Sequence, residues 1–468
     1  MTGKRKRKLA MPDTLIIVAS VVLLVAILSW IIPSGTYDYQ EMNINGRIRN
    51  VAIDGTYHTI DKSEVTTTGF LGFFSVLYRG CVEAADVIFM ILCCCGTFGV
   101  VVKTGAFHAG IGTILKKLKG KEILLVPIIM MIFGLGGSVF GMASEFYGFY
   151  PLIVGLGVAL GYDAMFGFAI IAVGEFVGFM GATLNPYSVG IAQTISGVEL
   201  YSGTGYRAIC FVIFMAISII YVMVYGRKIK KNPGASVVFG EKNIHAFDRD
   251  ELNEYSFTLK NGLVLLDVLV VLVVLMLGLI KWGWDFPQLC GLFLLMSMIA
   301  AAICKWSPNK WCSEFIDSAK TAMWGCILTG IAKAITVVMQ DAQIMDTVIY
   351  GLSNVLKNAP HAVSAQVMLV VQTLINFFIP SATGQASATM PIMAQLADII
   401  GVSRQTAVLA FQFGDGLSNI FWPTADIVII CGLGGISLQK WYKWFMPLFL
   451  ILFVTQAILL GIATGIGF

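Results

Sequence analysis

Gly181-Ala182-Thr183-Leu184-Asn185-Pro186 interrupts an apolar run with a helical pattern, and Ser418-Asn419-Ile420-Phe421-Trp422-Pro423-Thr424 interrupts a second one. Proline withholds an amide donor and its ring collides with the carbonyl one turn back, so each helix is expected to break midway. At membrane depth such a break is useful. Carbonyls freed where the first half-helix ends can coordinate a cation, and amides that open the second can hold a carboxylate.

The rest of the chain supplies the membrane. Of its 468 residues, 57% are hydrophobic and 12% charged, with a mean hydropathy of +0.83, outside the range of soluble domains. A hydrocarbon layer of about 30 Å takes roughly 20 helical residues to cross. Spans are expected near 14–32, 84–103, 122–140, 167–198, 207–226, 258–280, 284–305, 320–343, 362–380, 407–434 and 442–466. Lys4-Arg5-Lys6-Arg7-Lys8 precedes the first of these, whose apolar run is too long for a secretory signal and ends in Trp30-Ile31-Ile32-Pro33 without a small-residue cleavage site. It reads as a retained span with the N-terminus in the cytoplasm. The net charge of +4 sits largely in terminal and loop lysines and arginines, and so reports topology, not nucleic-acid binding. Cys93-Cys94-Cys95 are consecutive within an apolar run, which suits packing and neither metal nor disulfide chemistry.

This gives a cytoplasmic basic arm at 1–13, a first membrane half at 14–226, a polar linker at 227–257 and a second membrane half at 258–468. Tyr37 to Thr68 is polar and placed outside, and Phe70 to Val82 is expected as an interfacial helix. The arrangement carries an inconsistency. Arm and linker both belong in the cytoplasm, which needs an even number of crossings between them, yet five spans are counted. Either the segment from Phe70 also crosses or one of the five does not.

The halves repeat at an offset of 240: Pro151 falls on Pro391, Gly161 on Gly401, Gly174 on Gly414 and Glu175 on Asp415. The matched prolines and glycines are taken to mark hairpins and breaks. Ahead of each broken helix lies a stretch too interrupted for an ordinary span, near 134–161 and near 379–401, and each is expected to be a re-entrant helical hairpin. Irregular backbone at that depth survives only where protein or a wet cavity surrounds it. The fold class is therefore all-α and integral to the membrane, with two repeats that each carry a hairpin and a broken helix.

Glu145, Glu175, Asp415 and Asp426 lie in or beside these segments, where a charge costs roughly 3 kcal/mol and is normally functional or paired. Arg404 is placed in a turn, Arg207 near a span end and Lys333 in another helix, so the acids lack local bases. A bound cation, a proton or a cationic substrate is implied. Ser138, Ser144, Ser381, Thr383, Gln385, Ser387 and Thr389 add hydroxyl and amide groups at the hairpins, which suits an anionic group. Together they fit a zwitterion with an additional positive charge, a basic amino acid. Asp86 and Asp267 lie near span ends and are read as interfacial. No phosphate-binding loop or His-Glu-x-x-His pattern is present, so neither an ATP-driven pump nor an enzyme is expected.

Asn185-Pro186-Tyr187-Ser188-Val189-Gly190-Ile191-Ala192-Gln193, Ile379-Pro380-Ser381-Ala382-Thr383-Gly384-Gln385 with Met390-Pro391, and Arg404-Gln405-Thr406-Ala407 running to Gln412-Phe413-Gly414-Asp415-Gly416 resemble the YfcC family. That family groups with C4-dicarboxylate anaerobic carrier-like proteins in the wider ion transporter superfamily. The likeness extends from Ile31-Ile32-Pro33-Ser34-Gly35 to the last span. It implies inverted repeats, paired hairpins and secondary transport, and its members carry two labels: dicarboxylate carrier and arginine/ornithine-type antiporter. Phe421-Trp422 departs from the aliphatic sequence expected before that proline.

The resulting expectation is a multi-pass carrier of the inner membrane, working by alternating access on a small charged solute. The solute is to be held by Ser144, Glu145, Glu175, Asn185, Ser381, Thr383, Gly384, Gln385, Asp415, Asn419 and Thr424. The coupling ion, Na+ or H+, is to be held by Glu175, Thr183, Asn185, Asp415, Ser418, Asn419 and Asp426. Basic amino acid exchange or uptake is the first reading, ion-coupled carboxylate uptake the second and an ion channel the third. No cofactor or nucleic-acid partner is expected, and a homodimer is left open.

Overall fold

In a computed structural model the chain is described at residues 13–44, 47–118, 122–241, 245, 257–357 and 363–468. The basic run at Lys4 to Lys8 and much of the 227–257 linker lie outside these residues. Among the described residues seven helices are long and apolar enough to cross a membrane: α1 (Thr14–Ile31), α3 (Ala85–Lys103), α9 (Thr204–Lys231), α10 (Leu259–Lys281), α11 (Phe286–Ile303), α13 (Met323–Asp341) and α19 (Leu438–Gly465). The side on which α1 begins is called the inner face.

Two of the expected spans are not spans. Residues 122–140 become α5 (Leu125–Leu135) and a wide helical turn at Gly136–Phe140, after which the chain turns back through 144–146 into α6 (Phe149–Ala159). Eleven residues of α6 make about 16 Å, roughly half the hydrocarbon thickness. Residues 362–380 likewise become the first arm of a second hairpin, α15 (Ser364–Phe378), which turns at 379–381 into α16 (Ala382–Ile399). Each hairpin thus begins earlier than 134 or 379. The inconsistency in the crossing count disappears: α1, the α2–α3 helix, the broken helix and α9 leave four crossings before the linker, an even number.

The broken helices are α7 (Ala164–Met180) with α8 (Val189–Ile195), and α17 (Arg404–Ser418) with α18 (Asp426–Gly434). They break where the sequence places Pro186 and Pro423. Asp163 caps α7 by accepting from Phe166 N at 2.7 Å, and Ser403 caps α17 by accepting from Thr406 N at 3.0 Å, 240 residues on. Gly161 (φ 79°) and Gly401 (φ 70°) make the matching turns ahead of these caps, in a left-handed conformation that favours glycine. The prolines match less well. Pro151 lies in the first turn of α6, where a missing amide costs nothing, but Pro391 sits inside α16, so it marks neither a tip nor a break.

Phe70 to Glu83 forms α2, which runs through Ala84 into α3; α12 (Pro308–Lys320) runs into α13 in the same way. α2 packs on α13 and α3 on α12, so the first arm of each kinked helix lies beside the second arm of the other. This is the contact pattern of antiparallel pairing, expected if corresponding elements cross in opposite senses. The segment expected as merely interfacial therefore belongs to a crossing.

Glycine allows each hairpin to lie close to its broken helix. A Cβ on Gly137 would come 2.6 Å from Glu175 O, and one on Gly174 would come 3.0 Å from Met130 Cα. In the second set, a Cβ on Gly414 would come 2.9 Å from Gln372 Cβ. Small residues at helix contacts are how membrane helices gain packing energy where lipid offers no hydrophobic drive. The broken helices cross each other at Gly416, which faces the Met180 backbone.

One region is not helical. The polar stretch after α1 forms β1 (Ser34–Thr36) with β4 (His58–Ile60), and β2 (Tyr39–Ile44) with β3 (Arg47–Ala52), both antiparallel. Asp346, on α14 (Met345–Lys357), anchors them: it accepts from Tyr37 N at 3.1 Å, Thr36 Oγ1 at 3.2 Å and Tyr39 OH at 2.8 Å. Burial, reinforced by acidic neighbours, raises the phenols of Tyr37 and Tyr39 above their usual range.

Candidate functional site

Because α7 and α17 both end where they cross, two C-terminal half-helix ends meet near the centre of the protein. Around the first break, Thr183 N and Leu184 N donate to Ser138 O at 2.9 and 3.2 Å, and Ser138 Oγ donates to Gly181 O at 3.0 Å. Asn185 Oδ1 accepts from Tyr187 N at 2.9 Å and Ser188 N at 3.2 Å, which satisfies amides that the break would strand. Gly141, left-handed at φ 67°, lets the hairpin tip approach Asn185 where a side chain would collide with it.

Around the second break, Asn376 near the end of α15 performs the comparable task. Its Nδ2 lies 3.1 Å from Asp415 O, 2.6 Å from Ser418 Oγ and 2.8 Å from Asn419 Oδ1. Three oxygens therefore converge on one buried amide nitrogen, while Asn376 Oδ1 has no hydrogen-bond partner. Asn376 was missed as a site residue because it lies in an expected span; a lone amide between Ile375 and Phe377 was the available signal.

The acids gather beside these breaks. Glu175 is fully buried and accepts from Tyr150 OH at 2.8 Å, leaving Oε1 without a partner. Asp426, opening α18, accepts from Tyr147 OH at 2.7 Å. Tyr147 and Tyr150 are three residues apart and so share a face, tying the first hairpin to both its own broken helix and the second one. The i, i+3 tyrosine spacing is the sequence signal for this link. Asp415 is fully buried with Asn419 beside it and makes no well-formed hydrogen bond through either carboxylate oxygen. Glu145 is buried in the hairpin turn and accepts from Ala143 N at 3.0 Å.

Other expected residues are placed less centrally. Ser144 contacts only the edge of Glu145, at 3.5 Å. Ser381 is exposed and caps α16 by accepting from Gly384 N at 3.3 Å. Thr383 donates to Tyr187 O at 2.9 Å, joining the second hairpin to the first break. Gln385 turns between the hairpin arms, donating to Gln372 Oε1 at 2.7 Å. Thr424 is buried with its hydroxyl unpartnered. Thr183 and Ser418 lie in the two break networks as stated.

Arg207 lies near a span end, in the first turn of α9, and there it is buried and donates to Thr183 O at 3.1 Å and Ser202 O at 2.8 Å. A base does therefore touch the first break, although it binds carbonyls. None of the ion pairs among the described residues involves Glu145, Glu175, Asp415 or Asp426. Gln412, also unforeseen, ties the two broken helices by donating to Phe179 O at 2.7 Å.

Two cavities flank this centre. One of about 480 Å³ lies at the inner face, lined by Gly161, Asp163, Lys230, Ser236, Glu241 and Gly435. The other, of about 530 Å³, lies between the β2–β3 ribbon, the end of α8 and the α16–α17 turn.

Helices too short to cross, paired breaks and buried acids define a polytopic membrane protein of the secondary-transporter class. The match to known sequences places it further: residues 11–465 match the family model of the C4-dicarboxylate anaerobic carrier, DcuC, and the chain belongs to that family. It is 32% identical over 502 residues to an Escherichia coli K12 protein named "Putative basic amino acid antiporter YfcC", covering 100% of this chain and 99% of that one. A Haemophilus influenzae protein is 27% identical over 506 residues, covering 99% of each. Among solved structures, the YdaH transporter of Alcanivorax borkumensis aligns over 98% of this chain and 99% of its own with a TM-score of 0.45 and 14% identity. MtrF of Neisseria gonorrhoeae, described as one of a class of antimetabolite efflux pumps, aligns over 98% of this chain and 96% of its own with a TM-score of 0.44 and 15% identity.

Proposed function

We propose that the chain is an inner-membrane secondary transporter of basic amino acids, exchanging or taking up arginine- or ornithine-like solutes by alternating access. One observation carries the reading: Glu175 and Asp415 lie in the broken helices and Asp426 opens α18, and among the described residues neither these three nor Glu145 in the hairpin turn has an ion-pair partner. A solute with two positive groups and one carboxylate would offer cations to two of these acids, its carboxylate facing the amides that open α16. The name of the E. coli relative is consistent with this choice.

The coupling ion has a proposed place at the second break. Turning the Asn376 amide over would add Oδ1 to Asp415 O, Ser418 Oγ and Asn419 Oδ1, giving four oxygen ligands of the kind a hard cation takes. Ser138, Thr183 and Asn185 are the counterpart at the first break. Na+ fits such oxygen sets; Glu175 and Asp426, each bonded to a tyrosine hydroxyl, would instead carry H+.

A second reading, ion-coupled dicarboxylate uptake, draws support from the family description and from Arg207 beside the first break. Uptake of labelled arginine into proteoliposomes, with ornithine and succinate as competitors, separates the two. The expected result is competition by ornithine and loss of uptake in Asp415→Asn; competition by succinate alone refutes the proposal.

A further inference from the structure

The outer cavity has walls from three sources: the β2–β3 ribbon, through Gln40, Met42 and Val51 with Asp54 just beyond it; Ile195 at the end of α8; and the second hairpin and its turn, through Pro391, Ala394, Asp398 and Arg404. Its volume of about 530 Å³ is within the range of small-molecule sites. Arg404 and Asp398 form a bidentate pair on the hairpin wall: Arg404 Nη2 lies 2.7 Å from Asp398 Oδ2 and Nε 3.1 Å from each carboxylate oxygen. The third Arg404 nitrogen, Nη1, donates to Ser196 O at 2.9 Å, so the guanidinium stays oriented whatever its paired edge holds.

A bidentate Arg–Asp pair is the mirror image of an amino acid's carboxylate and ammonium. Both side chains are about half exposed, at 42% and 51%, and such pairs contribute little net stability, so a zwitterion can exchange into the pair at small cost. The ligand's carboxylate takes the fork of Arg404, which is suited to planar two-point recognition, and its ammonium takes Asp398. Asp54, just beyond β3, is a further acid in the lining, where the basic residue, Arg404, is already engaged by Asp398. Met42, Val51, Pro391 and Ala394 line the space between with apolar surface, against which a methylene stem can lie.

We propose that this cavity is a docking site for an α-amino acid with a positively charged side chain, its carboxylate on Arg404, its α-ammonium on Asp398 and its side-chain cation on Asp54. The site lies at the outer end of α8, whose seven residues span about 10 Å from the first break. It therefore works as an antechamber to the central site. The inference rests on the basic amino acid reading above.

The test is labelled arginine transport in proteoliposomes with KM measured separately from the outer and inner faces. Asp54→Asn is expected to raise the outer-face KM about fivefold, the order an exposed charge contact contributes, with kcat and the inner-face KM unchanged. Asp54→Lys is expected to raise it further, and Asp54→Glu to restore it. Thermal unfolding of the purified variants confirms that they fold as the parent does. If arginine is transported but neither Asp54→Asn nor Asp54→Lys alters the outer-face KM, the antechamber is overturned and the transport reading stands. If the parent protein moves no arginine, both fall together.

Discussion

Replacing Asn376 by alanine tests whether one amide organises the second break. The substitution removes a nitrogen that lies within 3.1 Å of Asp415 O, Ser418 Oγ and Asn419 Oδ1, in a position sealed from solvent. Ser418 loses little, since its hydroxyl already donates to Gly414 O at 2.5 Å. Asn419 Oδ1 loses its donor in the interior, whereas the Asp415 carbonyl keeps Asn419 N at 3.3 Å, and a buried acceptor left unmet costs about 1 to 3 kcal/mol. Asn376→Ala should therefore lose about 1 to 3 kcal/mol, above the scatter of surface substitutions. Chemical unfolding of the detergent-solubilised protein, followed by tryptophan fluorescence, reads the difference, with Asn376→Asp as a same-size comparison. An Asn376→Ala protein within about 0.5 kcal/mol of the parent would refute the argument that this amide holds the break together.

Gly137→Ala should force α5 away from α7, because its methyl would lie 2.6 Å from Glu175 O; overpacking of this kind costs about 1 to 3 kcal/mol, and thermal unfolding should report it. Tyr150→Phe strips Glu175 of its hydroxyl donor and should slow transport while leaving the fold intact, as measured by uptake beside circular dichroism. Asp346→Ala removes the acceptor shared by Tyr37 N, Thr36 Oγ1 and Tyr39 OH, and should expose the ribbon to limited proteolysis from the outer face. Tyr37 and Tyr39 titrate above their usual range in the folded protein, mainly through burial, so the unfolded chain ionises first. Their contribution to stability should accordingly be present below about pH 10 and decline as the pH rises beyond it, which alkaline unfolding of the parent and a Tyr39→Phe variant would reveal.

Much of the architecture was legible because lipid imposes local rules. Apolar length gives the spans, proline and glycine give the breaks, and both signals are carried by neighbouring residues in the chain. Pro186 and Pro423 were sufficient to locate both interruptions, and the correspondence of Glu175 with Asp415 brought out two acids that are buried without salt bridges. The same rules misjudged residues 122–140 and 362–380, since an apolar helix of that length reads as a crossing whether or not the chain turns back beyond it. Only the packing of both arms against one broken helix distinguishes a hairpin from a span.

The sequence by itself therefore determined the solvent, the approximate positions of the helices and the chemical character of the centre. Tertiary structure alone decided which polar groups meet there. Tyr147 reaches Asp426 across 279 positions of chain, Gln412 reaches Phe179 across 233, and Arg207 closes the first break from a helix beyond it. Such contacts are set by the angles at which helices cross, and those angles follow from close approach at Gly137, Gly174 and Gly416, a property of paired surfaces that no single segment encodes.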